Sequence, residues 1–212
     1  MLLDPKGHWE RAYADGDAGL SWTEPVPRRS VQAIASLGLD PAAPILDVGG
    51  GSSGLAGELI RAGYSDVTVL DLSAAALSLA RRRLGGDAAR VAWIATDLRS
   101  WSPQRRYELW HDRAVLHFFV DPNERQRYAE ILRSALLPES YVVITTFPAD
   151  GPAQCSGLPV LGSSPQQICA LLGPEFTLLD SSAEQHVTPR GVPQPFVRVI
   201  ARRARDEARH PG

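Results

Sequence analysis

Short β-branched runs alternate with longer stretches of helical period along most of the chain. Residues 27–39, PRRSVQAIASLGL, put Val31, Ile34 and Leu37 on one helical face and end at Gly38. PILDVG (44–49) is a short apolar strand running into glycines, and LAGELIRAGY (55–64) resumes helical spacing before another glycine. DVTVLDLS (66–73) predicts a strand, with Ser73 capping a helix over residues 74–84. VAWIATDL (91–98) and YELWHDRAVL (107–116) give a strand and a strand-to-loop unit. ERQRYAEILRSALL (124–137) reads as a helix closed by Pro138, and YVVITTF (141–147) as a buried fifth strand. SPQQICALLG (164–173) is the last helix, with Pro165 in its first turn. FTLLDSSAEQHV and PFVRVIARR predict two final strands across a Pro/Gly-rich turn.

Strand and helix in alternation require parallel strands joined by right-handed crossovers, with helices on both faces. The last two strands have no helix between them and must pair as an antiparallel hairpin at the sheet edge. The expected fold is α/β and Rossmann-like, a seven-stranded, mostly parallel sheet with an antiparallel C-terminal hairpin. Residues 27–203 form its domain, 1–26 a leading segment, and 204–212 a solvated, frayed tail. The leading stretch GHWERAYADGDAGLSW shows neither a strand pattern nor a clear helix period.

Composition removes several classes. The 212 residues fit one domain, and 44% hydrophobic with 22% charged residues is globular rather than disordered. No apolar run approaches the roughly 18 residues that span a bilayer, and the opening MLLDPKGHWE is unlike a secretory signal. A net charge of −2 lacks the footprint of a nucleic-acid binder. Two cysteines make no disulfide framework and match no zinc motif, so no metal is expected. The expectation is a soluble, cytoplasmic protein.

The joint ILDVGGGSSG (45–54) carries the first candidate chemistry. Gly49, Gly51 and Gly54 fit the dinucleotide fingerprint, a weak signal by itself. Three readings compete: a tight turn without ligand, a dinucleotide whose pyrophosphate sits on the helix N-terminus, or S-adenosylmethionine. Asp47, two residues before the first glycine, favours the third. A carboxylate there repels a pyrophosphate but welcomes the ammonium of the methionine end. Asp71 ends the second strand, where it can accept from both ribose hydroxyls. Asp97 ends the third, where it can accept from the exocyclic amine of adenine, with Leu72 and Leu98 sandwiching the ring. Strand C-terminal ends are where open α/β sheets bind ligands.

ILDVGGGSSG, VLDLS, TDL and YELWHDRAVLHFF, followed by YVVITTF and a terminal hairpin, resemble class I S-adenosylmethionine-dependent methyltransferases. The resemblance covers about residues 27–203. It implies that fold, methyl transfer, and S-adenosyl-L-methionine as cofactor with S-adenosyl-L-homocysteine as product. One departure is Ser53, where the family's turn has a third glycine; serine tolerates the turn and can add a hydrogen bond. WHDRAVLHFF, DGPAQCSGLPV and HWERAY…SW are similar to a group of small bacterial methyltransferases. The first motif is similar to that of protein-lysine methyltransferases acting on elongation factor or citrate synthase.

In this architecture the acceptor pocket lies beyond the fourth strand, which brings His111, Asp112, Arg113 and His117 to it. Asp112 is the first choice for orienting or deprotonating the acceptor, and His117 the second. Either could be structural instead, Asp112 bridging to Arg113 and His117 packing beside Phe118 and Phe119. Trp9, Tyr13 and Trp22 suit either a lid that excludes water or a flap stapled to the core. The loop 150–160 should rim the pocket, with Phe147 and Cys155 facing inward; His186 could reach the same rim, and Cys169 is core. The expected partner is a small molecule, with thiol or sulfide, hydroxyl, amine and carboxylate acceptors open and no nucleic acid or membrane involved. A protein-lysine methyltransferase is the alternative, and a non-catalytic binder a third. Oligomeric state is left open.

Overall fold

Ile45 lies opposite Val67 on one side and Leu109 on the other, which sets β1 (Ile45–Val48) between β2 (Val67–Asp71) and β4 (Tyr107–Arg113). The computed structural model describes residues 4–24 and 26–205. β3 (Val91–Ala95) pairs parallel outside β2, and β5 (Leu136–Thr146) pairs parallel with β4. A two-residue pair, β6 (Gln154–Cys155) and β7 (Leu158–Pro159), follows β5. The hairpin of β8 (Phe176–Val187) and β9 (Pro193–Arg203) then completes the main sheet, in the order β3-β2-β1-β4-β5-β9-β8. Its β9 strand runs antiparallel to β5 and leaves β8 at the edge.

Residues alternate between sheet faces with period two, and each face has its own core. Leu46, Val48, Trp110, Val142 and Ile144 pack with Leu132 and Ile168, so that face is covered by α5 (Pro122–Ala135) and α6 (Pro165–Leu172). Ile45, Val67, Leu109 and Val143 pack with Ile34, Leu59 and Leu77. Those three belong to α2 (Arg28–Ala35), α3 (Leu55–Arg61) and α4 (Ala74–Leu84). The parity matters for function: on β4, Asp112 shares the face of Trp110, while His111 shares that of Leu109. No helix among the described residues is long and apolar enough to cross a membrane.

Three expectations are corrected. The leading segment does contain a helix, α1 (Pro5–Ala12), because Asp4 caps Gly7 N at 2.9 Å and Pro5 occupies the first helical position. Pro138 does not close α5; the helix gives way to strand at Leu136, which pairs with Tyr107. Arg203 Nη1 on β9 donates to the carbonyls of Arg133 (3.0 Å) and Leu136 (2.8 Å), satisfying helix-end acceptors from far along the chain. The stretch 150–160 is not all loop, since Ser156 (φ 54) and Gly157 (φ 75) turn tightly enough for Cys155 to pair with Leu158. Of the expected tail, residues 206–212 lie outside the described residues.

Candidate active site

At the end of β1 the chain turns through three glycines. Gly49 has φ +64, and a Cβ there would stand 2.0 Å from Val115 Cγ2. Its N–H donates to Leu70 O at 2.7 Å, tying the turn to β2. Gly51 N donates to Asp71 Oδ2 and Ser73 N to Asp71 Oδ1, both at 2.8 Å. Asp71 therefore fastens two turns and keeps its remaining lone pairs for the cleft. Burial pushes its carboxyl up to about 6, against the two backbone bonds; the charges of Asp47 and Glu10 push the same way as burial. Exposed Ser53 sits at the start of α3, its Oγ accepting from Leu55 N at 3.1 Å.

A cleft enclosing about 1260 Å³, open space at its mouth included, runs over the C-terminal ends of β1, β2, β3 and β4. Asp47, Gly49, Gly51, Ser53, Asp71, Leu72, Asp97 and Leu98 all line it. Asp97 Oδ1 is partly used by Arg99 N at 2.9 Å. Asp47 is buried, and its Oδ1 accepts from His111 Nδ1 at 2.7 Å. His111 Nε2 meets Ser30 Oγ at 3.0 Å, so the ring is held from both sides. Asp47 Oδ2 faces the glycine turn, 2.6 Å from where a Gly50 Cβ would stand. Two carboxylates flanking a glycine turn suit an ammonium and a pair of ribose hydroxyls and repel a pyrophosphate, so the residues present fit S-adenosylmethionine.

The leading segment covers this cleft. Trp9, Tyr13 and Trp22 line it, and Trp22 Nε1 donates to Tyr13 Oη at 2.8 Å. Trp9 stands edge-on to both Trp22 and Phe118, with centroids 5.3 Å apart in each case. Burial holds the Tyr13 phenol well above its ordinary value, with the Asp71 and Asp17 charges adding to it, so it stays protonated. Three ties fix the segment: Glu10 to Ala74 N and Ala75 N, Asp17 to Arg83, and Glu24 to Arg113 at 2.6 Å. Arg113 and Cys155 line the cleft on the β4 side, beside Glu24.

Three expected site residues are not there. Asp112 is fully buried on the other sheet face, accepting from Val115 N (2.9 Å), Leu116 N (3.1 Å) and Tyr128 Oη (2.6 Å). It shapes the turn after β4 and does not face the cleft. His117 is fully buried, its ring stacked on Phe147 at 4.5 Å with neither nitrogen hydrogen-bonded, and burial drives it down to about 3. Phe147 is core, packed with Val160 and Phe196. Ser30, Glu24 and Glu10 join the site unannounced by the sequence, as does the role of His111. The signal for His111 was parity: it pairs with Asp47 across the sheet, so their side chains share a face. The other three come from distant elements and left no local signal.

A methyltransferase-domain family model matches residues 45–139. EEF1A lysine methyltransferase 2 of Danio rerio is 26% identical over 160 residues, which is 68% of this chain and 69% of the relative. Burkholderia thailandensis 1,6-didemethyltoxoflavin-N1-methyltransferase shares the fold with a TM-score of 0.70 and 23% identity, over 96% of this chain and 92% of that one. A structure concerned with conversion of a disulfide bond into a thioacetal group during echinomycin biosynthesis superposes with a TM-score of 0.74 and 20% identity, over 96% and 94%. These structural likenesses speak to the fold. The family match starts at β1 and ends inside β5, and so spans the strand ends that meet the glycine turn. Over residues 45–139 the chain matches the methyltransferase-domain family, it shares its fold with solved S-adenosylmethionine-dependent methyltransferases, and the aspartates of its cleft fit that cofactor.

Proposed function

We propose that the enzyme methylates a small-molecule nucleophile, a thiol, sulfide or neutral amine. One observation carries this reading: the cleft is roofed by the chain's own leading segment. Trp9 packs against both Trp22 and Phe118 there, which encloses the space beside Arg113 and Cys155. Such a roof excludes water and suits an acceptor that enters whole.

The bound cofactor supplies an activated methyl group on a sulfonium. Asp71 would hold the ribose hydroxyls, Asp47 Oδ2 the ammonium, Asp97 the exocyclic amine, and Leu72 and Leu98 the faces of adenine. Methyl transfer then asks the protein for alignment, and for a base only where the acceptor is protonated at rest. Asp112 and His117 are withdrawn from the cleft, and Glu24 is engaged by Arg113 and His186. That leaves orientation as the main contribution, which favours acceptors that already carry a free lone pair near neutrality. Neighbouring structures of this fold concern both sulfur and ring-nitrogen chemistry.

The Danio rerio relative favours a second reading, a protein-lysine methyltransferase. Labelled S-adenosylmethionine separates the two. A panel of thiols, amines, alcohols and carboxylates is tried as acceptors, and a whole-cell lysate in parallel. Turnover on a thiol or amine supports the small-molecule reading; label in a protein band without small-molecule turnover overturns it. Two cysteines left as free thiols suit a reducing, cytoplasmic setting.

A further inference from the structure

His186 lies on β8, outside the cleft lining, and is 5% exposed. Its Nδ1 stands 2.8 Å from Glu24 Oε1 and its Nε2 stands 2.6 Å from the carbonyl oxygen of Ser21. Both oxygens can only accept, since one belongs to a carboxylate and the other to a backbone carbonyl. A neutral imidazole has one N–H and would set a lone pair against one of them. Arg113 Nη2 is 3.5 Å from Nδ1, too far to compete with the 2.8 Å contact to Glu24. Two short contacts to two acceptors are satisfied together only by a ring carrying a proton on each nitrogen.

Both acceptors belong to the cover, on either side of Trp22, whose ring lines the cleft. We propose that His186 is the positioning residue that closes the cover, that it does so as the doubly protonated imidazolium, and that closure therefore takes up a proton. The charged groups around the ring are Glu24 on the cover, Arg113 on β4, and Arg29 on α2, which donates to Gln185 O next to His186. Glu184, two residues back on β8, is paired with Arg198 of β9, and Phe196 of β9 supplies a ring edge at 6.4 Å. Glu24 stays ionised as the partner. Burial pushes its carboxyl up, but the His186 bond and the charges of Arg113, His186 and Arg29 outweigh that and hold it below the ordinary range. Losing the proton leaves one of two contacts repulsive, so the segment from Ser21 to Glu24 is released as pH rises.

The test needs no acceptor. Release of S-adenosylhomocysteine is timed by stopped flow between about pH 5 and pH 9, bracketing the histidine range. His186→Gln, whose amide can set its NH2 against only one of the two acceptors while its oxygen can only accept, is compared with the wild type. Tryptophan fluorescence of the ligand-free proteins is followed in parallel, in a His8→Gln background because the His8 ring lies 5.1 Å from Trp9. The ratio of variant to wild-type release rates, in which the titration of Asp71 cancels, is expected to be high at low pH and to fall through a single-proton transition. His186→Gln is expected to release the ligand roughly tenfold faster at low pH, as for one charged hydrogen bond lost, and to converge with the wild type at high pH. A rate difference independent of pH would overturn the proposal, because a merely structural histidine gives that. Should the variant fail to fold, histidine-selective nitrogen NMR of the wild type decides. Two protonated ring nitrogens on His186 while the cover is closed support the latch, and a neutral ring overturns it. Failure to bind S-adenosylhomocysteine at all would strike at the cofactor, while fluorescence and NMR still judge the latch.

Discussion

Tyr128 Oη donates to Asp112 Oδ2 at 2.6 Å while Trp110 Nε1 donates to Tyr128 Oη at 3.1 Å, a buried relay joining β4 to α5. With Val115 N and Leu116 N also on the carboxylate, Asp112 is the cap of the turn after β4. Asp112→Asn turns one accepting oxygen into a donor facing these donors. Stability should fall by about 1–3 kcal/mol at neutral pH, with affinity for S-adenosylhomocysteine near wild type. Burial pushes the carboxyl from 3.8 up to about 6, despite these bonds. A raised folded value means the folded state holds the proton more tightly than the unfolded chain. Ionisation therefore costs stability as pH rises from about 4 to about 6, and the cost is constant above. The variant lacks this loss, so its deficit should shrink across that window. Urea unfolding of both proteins at several pH values checks it, and a deficit that widened with pH would refute the assignment.

Asp71 gives a binding profile of the opposite sense. Its carboxyl, raised to about 6 chiefly by burial, lines the cleft and has accepting capacity left after Gly51 N and Ser73 N. Ribose hydroxyls donate better to the ionised form, so affinity for S-adenosylhomocysteine should rise with pH up to about 6 and then level off. The limit is about tenfold per unit by which binding lowers the value. Asp71→Asn should lose the slope and weaken binding by about 1–3 kcal/mol, because its amide faces a backbone N–H. Calorimetry across this range reads both. A flat wild-type profile would place the ribose elsewhere.

The parts legible in the sequence are those decided locally. Residues 74–84 form α4 with Ser73 Oγ accepting from Ala76 N, and α6 has its capping box at Ser164 and Gln167, because caps and spacing are written into adjacent residues. The glycine turn and the aspartates at 47, 71 and 97 were legible for the same reason, as each lies at or within two residues of the C-terminal end of a strand. What escaped depends on distant partners. Pro138 looked like a helix stop, yet α5 ends earlier because Leu136 finds Tyr107 and Arg203 takes the freed carbonyls. Asp112 and His111 are neighbours of similar chemistry, and only packing of Trp110 and Leu109 into opposite cores decides which one meets the cleft. Glu24 and His186 are 162 positions apart and carry no mutual signal.

Gly49→Ala should combine two costs that can be separated. The φ of +64 strains any side chain by roughly 1–2 kcal/mol, and the new Cβ would meet Val115 Cγ2 at 2.0 Å. Adding Val115→Ala relieves the collision but leaves the strain. The double variant should therefore recover part of the thermal stability lost by Gly49→Ala. Full recovery, or none, would show that only one of the two costs operates. Both variants should bind S-adenosylhomocysteine more weakly than wild type, since the turn they distort carries the Gly51 N–H that orients Asp71.

Glu10 separates stability of the cover from stability of the core. Its Oε1 accepts from Ala74 N at 2.8 Å and its Oε2 from Ala75 N at 3.2 Å, placing a carboxylate on the N-terminus of α4. Negative charge there is favourable, and the bonds satisfy donors that water would otherwise take. Because Ser73 already caps the helix through Ala76 N, α4 keeps its own start when Glu10 is lost. Glu10→Ala should thus leave global unfolding nearly unchanged while weakening closure by about 0.5–2 kcal/mol. Limited trypsin cleavage at Arg11, inside α1 of the cover, reports that opening. When opening and closing outpace cleavage, the rate follows the open population, so it should rise roughly two- to thirtyfold in Glu10→Ala. Glu10→Gln keeps an accepting oxygen but not the charge and should fall between. Saturating S-adenosylhomocysteine should slow cleavage in all three proteins. An unchanged cleavage rate in Glu10→Ala, with unchanged global stability, would mean that the Asp17 and Glu24 ties hold the cover without it.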